Sequence, residues 1–210
     1  MRHLAISLAA FTVAGVVLGA DRRTLELNRP AEGIEAVEID AGVGDVSVTA
    51  DVANAVTAHV EVSPKGRSFW GARSQEIESL EISNEVHGST LVLRLRPENR
   101  HDGGFGEDWT VRLPAKLALK IKLGVGDITV IDVAGDVKAA VGVGDVKIEG
   151  TYDAFGDIHA SCGVGDATLR TPAGRNEGEG FIAHSLRASG PGKSSIQIEA
   201  GVGDATIRLR

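Results

Sequence analysis

The chain has 210 residues and a formal charge of −7, and it is 42% hydrophobic but only 4% aromatic. An acidic balance without a long basic run disfavours nucleic-acid binding and charge-driven attachment to anionic lipid. A single cysteine, Cys162, rules out an internal disulfide, and a core of Val, Ile, Leu and Ala fits a thin stacked interior better than a wide sandwich centre.

Taken in chain order, Met1-Arg2-His3 followed by apolar Leu4–Leu18 reads as a cleavable leader over residues 1–20, with Gly19 and Ala20 as the cleavage site. Fifteen apolar residues are short for a membrane span, which needs about 20. The rival is an uncleaved anchor held by Arg22 and Arg23; with no cysteine near the junction, a lipoprotein anchor is excluded. Cleavage removes only Arg2 among charged side chains and takes the formal charge from −7 to −8.

Residues 24–113 form an irregular β part. Val37–Ala41, Val56–Val62, Leu91–Arg96 and Trp109–Leu113 alternate apolar and polar residues, the signature of half-buried strands. Two loops interrupt them, Pro64–Ser74 and Pro97–Asp108. Long loops on a rigid scaffold are where binding residues collect, so Arg67, Phe69, Trp70, Arg73 and His101 are the candidate partner contacts. The competing reading of the first loop is a lid that folds its own Trp70 inward.

Residues 114–210 continue into a regular β-repeat part. Gly-Val-Gly-Asp stands at Gly42–Asp45, Gly124–Asp127, Gly142–Asp145, Gly163–Asp166 and Gly201–Asp204, each time followed by a short alternating strand. Glycine supplies positive φ at a tight corner, and the Asp can hydrogen-bond local backbone N–H groups. The Asp-to-Asp spacings of 18, 21 and 38 residues give a period near 20, the mark of a β-solenoid or closely related rolled sheet. Phe181–Arg187 stands where one copy is missing and reads as a strand pair with a bulging loop. The alternation of Arg208 and Arg210 with Ile207 and Leu209 predicts a last strand guarded by charge against edge-to-edge pairing.

Candidate chemistry is sparse. Carboxylates of Asp127, Asp145 and Asp166 stacked at about 4.8 Å would repel by roughly 0.9 kcal/mol in water. Backbone N–H groups or a bound Ca²⁺ could offset that, which makes these three the candidate calcium ligands. Calcium-binding β-rolls use G-G-x-G-x-D, whereas here Asp directly follows Gly, so a structural turn is the favoured reading. Gly192-Lys193-Ser194 lacks the upstream Gly and the following helix of a phosphate loop. The six histidines show no metal-binding spacing; Asp157 and His159 share one strand face, a two-ligand beginning only. Cys162 occupies a position filled elsewhere by Ala41, Leu123, Val141 and Ala200, so it reads as a small buried hydrophobe. The outward row Ser47, Thr129, Thr168 and Thr206, which could face ice or a glycan, is interrupted by Lys147.

The Gly-Val-Gly-Asp-Val-x-Ile units, with Val111-Arg112-Leu113-Pro114 leading into them and Ile196–Arg210 closing them, resemble a bacterial family labelled "putative adhesin", a β-strand-repeat family related to autotransporter head-GIN domains. The resemblance covers Ile34 to the C-terminus. It implies an exported, non-catalytic envelope protein at the periplasm or cell surface, with no catalytic residues and no cofactor to carry over. The expectation is therefore an adhesive or scaffolding module whose partner is an envelope protein or glycan, with self-association through sheet edges open. The alternatives are a calcium-stabilised β-roll and a glycan-active β-helical enzyme.

Overall fold

The computed structural model describes residues 12–17, 22–64, 77–96, 105–178 and 184–210, the first of these by backbone alone. The described elements include 18 strands in two sheets and one 3-10 turn at Tyr152–Ala154. The protein is all-β, with parallel and antiparallel pairings mixed in both sheets.

Each Gly-Val-Gly-Asp copy is a corner at which the chain leaves one sheet and enters the other. β3 (Ala36–Val43) turns into β4 (Val46–Asp51), β9 (Ala118–Val125) into β10 (Ile128–Ile131), and β11 (Val137–Val143) into β12 (Val146–Gly150). β13 (Phe155–Val164) turns into β14 (Ala167–Thr171), and β17 (Ser194–Val202) into β18 (Ala205–Leu209). The first member of every pair lies in the eight-stranded sheet and the second in the ten-stranded sheet.

The five arches pair in parallel, in register, but out of chain order. β17 pairs with both β11 and β13, and β18 with both β12 and β14, so the last arch in sequence is wedged between the third and the fourth. A simple coil would have placed it at the end. The prediction that Arg208 and Arg210 guard a sheet edge is therefore corrected: their strand is interior to its sheet. Arg208 Nη1 lies 3.4 Å from Glu149 Oε1, and Arg210 Nη2 lies 2.8 Å from Asp132 Oδ1.

Antiparallel strands finish both ends of the stack. At one end β7 (Thr90–Arg96) and β8 (Phe105–Pro114) pair in parallel with β3 and β4. β6 (Glu81–His87) then runs antiparallel to β7, and β5 (Ala55–Pro64) antiparallel to β8, followed by β2 (Arg23–Pro30). Thr12–Val17, within the expected leader, forms β1 against β2. At the other end β15 (Gly174–Glu177) and β16 (His184–Ser189) close the two sheets. The expected strand pair at 181–187 is thus one edge strand as far as it is described, and it replaces an arch.

Alternation along each strand sends one face inward, and register turns those faces into columns. Val46, Ile128, Val146, Ala205 and Ala167 form one column, and Ile39, Ile121, Ala139, Ile198 and Ala160 another; all ten are buried. Cys162 lies in the column with Ala41, Leu123, Val141 and Ala200 and is 2% exposed. Small and branched side chains suffice because the two sheets meet directly at the corner. Larger residues fill the interior toward the ends of the stack: Trp109 lies beside Val46 at one end, and Phe155 is buried at the other.

Candidate functional site: the corner ladder and the outer faces

Stacking of the corners follows from two-way hydrogen bonding between neighbours. The Asp127 N–H donates to Asp45 Oδ1 (3.0 Å), Asp145 to Asp127 (2.8 Å), Asp204 to Asp145 (2.8 Å) and Asp166 to Asp204 (2.8 Å). In return, each Asp backbone carbonyl accepts from the residue after the preceding Asp, as in Val46 N to Asp127 O at 2.9 Å and Ile128 N to Asp145 O at 2.8 Å. The backbone N–H held against each carboxylate offsets repulsion along the row.

The third residue of the corner, such as Gly144 with φ of 140°, takes a backbone conformation open essentially to glycine. A Cβ there would also strike the Gly126 carbonyl of the next arch. The corner glycines are therefore demanded twice, by conformation and by the neighbour.

The expected Asp127–Asp145–Asp166 row is real but incomplete as predicted. Asp204 sits between Asp145 and Asp166, and Asp45 and Asp108 extend the other end, where the Asp45 N–H donates to Asp108 Oδ1 at 3.0 Å. Among the described residues no three His, Cys, Asp or Glu side chains converge as a metal site. Neither the calcium reading nor the glycan-active enzyme reading gains an observation from the ladder.

Two terminations were missed in the sequence. Glu107, fully buried, replaces the second glycine in a disguised corner, Gly106-Glu107-Asp108-Trp109. Its Oε1 accepts from the Gly42 N–H at 2.5 Å and its Oε2 from Trp109 Nε1 at 3.1 Å, so a carboxylate plugs the first glycine turn. The signal was present: an Asp one residue before an alternating strand. The expected loop over 97–108 accordingly ends earlier, because β8 begins at Phe105.

At the opposite end His184 Nδ1 lies 2.9 Å from Asp166 Oδ1 and 2.7 Å from Gly165 O. Both partners are acceptors, so Nδ1 carries the proton. Cys162 pairs in register with His184, but burial, helped by the charges of Asp204, Asp166 and Asp145, pushes its thiol pKa up, which opposes a nucleophilic thiolate.

On the outer face of the eight-stranded sheet, Glu38 accepts from Lys120 Nζ at 3.1 Å and Lys122 Nζ at 3.0 Å. Burial works to raise its pKa, yet the two lysines outweigh it and hold the carboxyl below its usual value. At the corner itself Val125, Val143, Val202 and Val164 stand in register and are about half exposed. The predicted contacts Arg67, Phe69, Trp70, Arg73 and His101 all lie outside the described residues.

These features define an all-β protein of two mixed sheets joined by hydrogen-bonded Gly-Asp corners. No family model matches the chain, and no curated protein sequence matches it. Its fold is similar to that of a solved structure from Clostridium sporogenes described as a putative cell adhesion protein, with a TM-score of 0.50 and 19% identity over 90% of this chain and all (100%) of that one. Solved putative adhesins from Bacteroides fragilis (13% identity, TM-score 0.25, 88% of this chain and 96% of that one) and Parabacteroides merdae (9%, 0.29, 90% and 97%) align far less closely. No helix among the described residues is long and apolar enough to cross a membrane.

Proposed function

We propose that the protein is a non-enzymatic, adhesin-like module, exported to the periplasm or cell surface, that presents a rigid β-repeat surface to an envelope protein or glycan. The fold shared with the Clostridium sporogenes protein described as a putative cell adhesion protein carries this reading. Hydrogen-bonded corners and an apolar interior support a scaffolding role, since they tie each arch to its neighbours. In this reading the stacked arches act as a short, reordered β-solenoid, and the leader 1–20 is removed on export. Loops 64–74 and 97–104 carry the contacts, through Arg67, Phe69, Trp70, Arg73 and His101, while the sheet edges allow self-association.

The test is crosslinking in intact cells followed by recovery of bound envelope material. Trp70→Ala combined with Arg67→Ala is expected to weaken capture while melting stays within a few degrees of wild type. Undiminished capture would remove the loops from the proposal, and retention of the protein in the cytoplasm would remove export.

A further inference from the structure

Out-of-order stacking assembles a cationic cluster on a protein of net charge −7. Wedging β18 between β12 and β14 places Arg208 directly beside Arg170, and the β14–β15 hairpin places Arg170 opposite Arg175. Neighbouring strands lie about 4.8 Å apart, so three guanidinium stems leave the same outer face at successive strands. Like charges placed directly opposite one another across strands are unfavourable, so the fold alone gives no reason for this row.

The available carboxylates leave part of the charge uncompensated. Arg175 has Glu177 at 2.7 Å and Arg210 has Asp132 at 2.8 Å. Glu149 is shared between Lys147 at 2.8 Å and Arg208 at 3.4 Å, which leaves Arg208 weakly held. The two cations hold Glu149 below the usual carboxylate range, the Lys147 hydrogen bond being the larger influence. Arg170 has no hydrogen-bond or ion-pair partner among the described residues. A groove of about 560 Å³ runs between Arg170, Arg208 and Arg210, with Pro172 and Leu209 as its apolar lining and with Thr171 and the Glu149 carboxylate, already engaged by Lys147 and Arg208, also on its wall. Thr168 and Thr206 stand in register two residues along the strands from Arg170 and Arg208, on the same face and just outside the groove's lining.

We propose that this groove binds an acidic polysaccharide, with Arg170 and Arg208 taking its carboxylates and Thr168 and Thr206 its hydroxyls. Arginine presents a planar fork that matches a carboxylate in bidentate geometry, and adjacent strands repeat that fork at the scale of a polymer's successive acidic groups. The hydroxyl row beside the arginines favours a sugar backbone over a bare polyanion. The proposal refines the adhesive reading and rests on it only for the ligand's setting.

Titration calorimetry of the full chain with a purified polyuronate tests it, with a sulfated glycan and a polyphosphate as parallel arms. Binding to the polyuronate is expected, weakening as salt rises. Arg170→Gln with Arg208→Gln should lose at least about tenfold in affinity, from two charge-assisted pairs. Its melting temperature should be unchanged or higher, because a like-charge contact is removed. Arg112→Gln, on the outer face of the same sheet but on β8, four strands from β18, should bind as wild type. No binding to polyuronate, equal binding by the double variant, or a preference for polyphosphate would each overturn the site. A wild-type chain that captures envelope material but binds no polyuronate would leave the adhesive reading standing and remove only this one.

Discussion

Replacing Gly144 by alanine separates the two demands placed on the corner. Its φ of 140° lies in a region that L-residues rarely adopt, a strain of about 1–3 kcal/mol. Its new Cβ would also fall well inside 3.0 Å of the Gly126 carbonyl oxygen, which is backbone pinned by in-register strands on both sides. Forcing those arches apart adds about 1–3 kcal/mol, the usual range for overpacking. Gly174 supplies the control, since its φ is 142° but nothing lies within 4 Å of the added Cβ. For a chain of this size each kcal/mol is worth about 2–4 °C in melting temperature. Gly144→Ala should therefore lower melting by roughly 4–24 °C and Gly174→Ala by roughly half of that, read by calorimetry or circular dichroism. Equal losses at the two sites would refute the stacked-corner argument, because only Gly144 has a neighbour to strike.

Asp145→Ala removes the acceptor for the Asp204 N–H and should cost about 0.5–1.5 kcal/mol, while Asp145→Asn keeps an oxygen there, relieves repulsion and should melt close to wild type. A chelator should change neither result; a chelator-dependent fall in melting would make the Asp row a calcium site after all. Glu38 has a lowered folded-state pKa, so its contribution is complete above the usual value of 4.5 and is lost as the pH falls through the folded pKa. Glu38→Gln should flatten the acid side of a melting-against-pH profile relative to wild type, and an unchanged acid slope would remove the Lys120–Glu38–Lys122 cluster as its source.

Local physics was legible wherever it was local. Alternation marked Val56–Val62 and Leu91–Arg96 as strands, and a glycine-aspartate pair before an alternating run marked each corner. Cys162 reads as core because its position in the repeat is apolar in every other copy. Glu107 escaped because it breaks the glycine pattern, and only the neighbouring Gly42 and Trp109 show what its carboxylate does. The Arg170–Arg208 pair escaped for a different reason: the two residues are 38 positions apart and belong to interchangeable arches.

That interchangeability divides what the amino-acid sequence determined by itself from what the tertiary structure decided. Side-chain alternation, glycine's access to positive φ and the reach of an Asp oxygen are properties of a few consecutive residues, so strands, corners and inward faces can be read without a partner. Every arch, however, offers its neighbours the same row of N–H and C=O groups and the same apolar column. Nothing in one arch states which other arch should lie beside it. Only assembly of the whole chain, with β15 and β16 occupying one end and β6 and β1 the other, placed the last arch between the third and the fourth and so brought the arginines together.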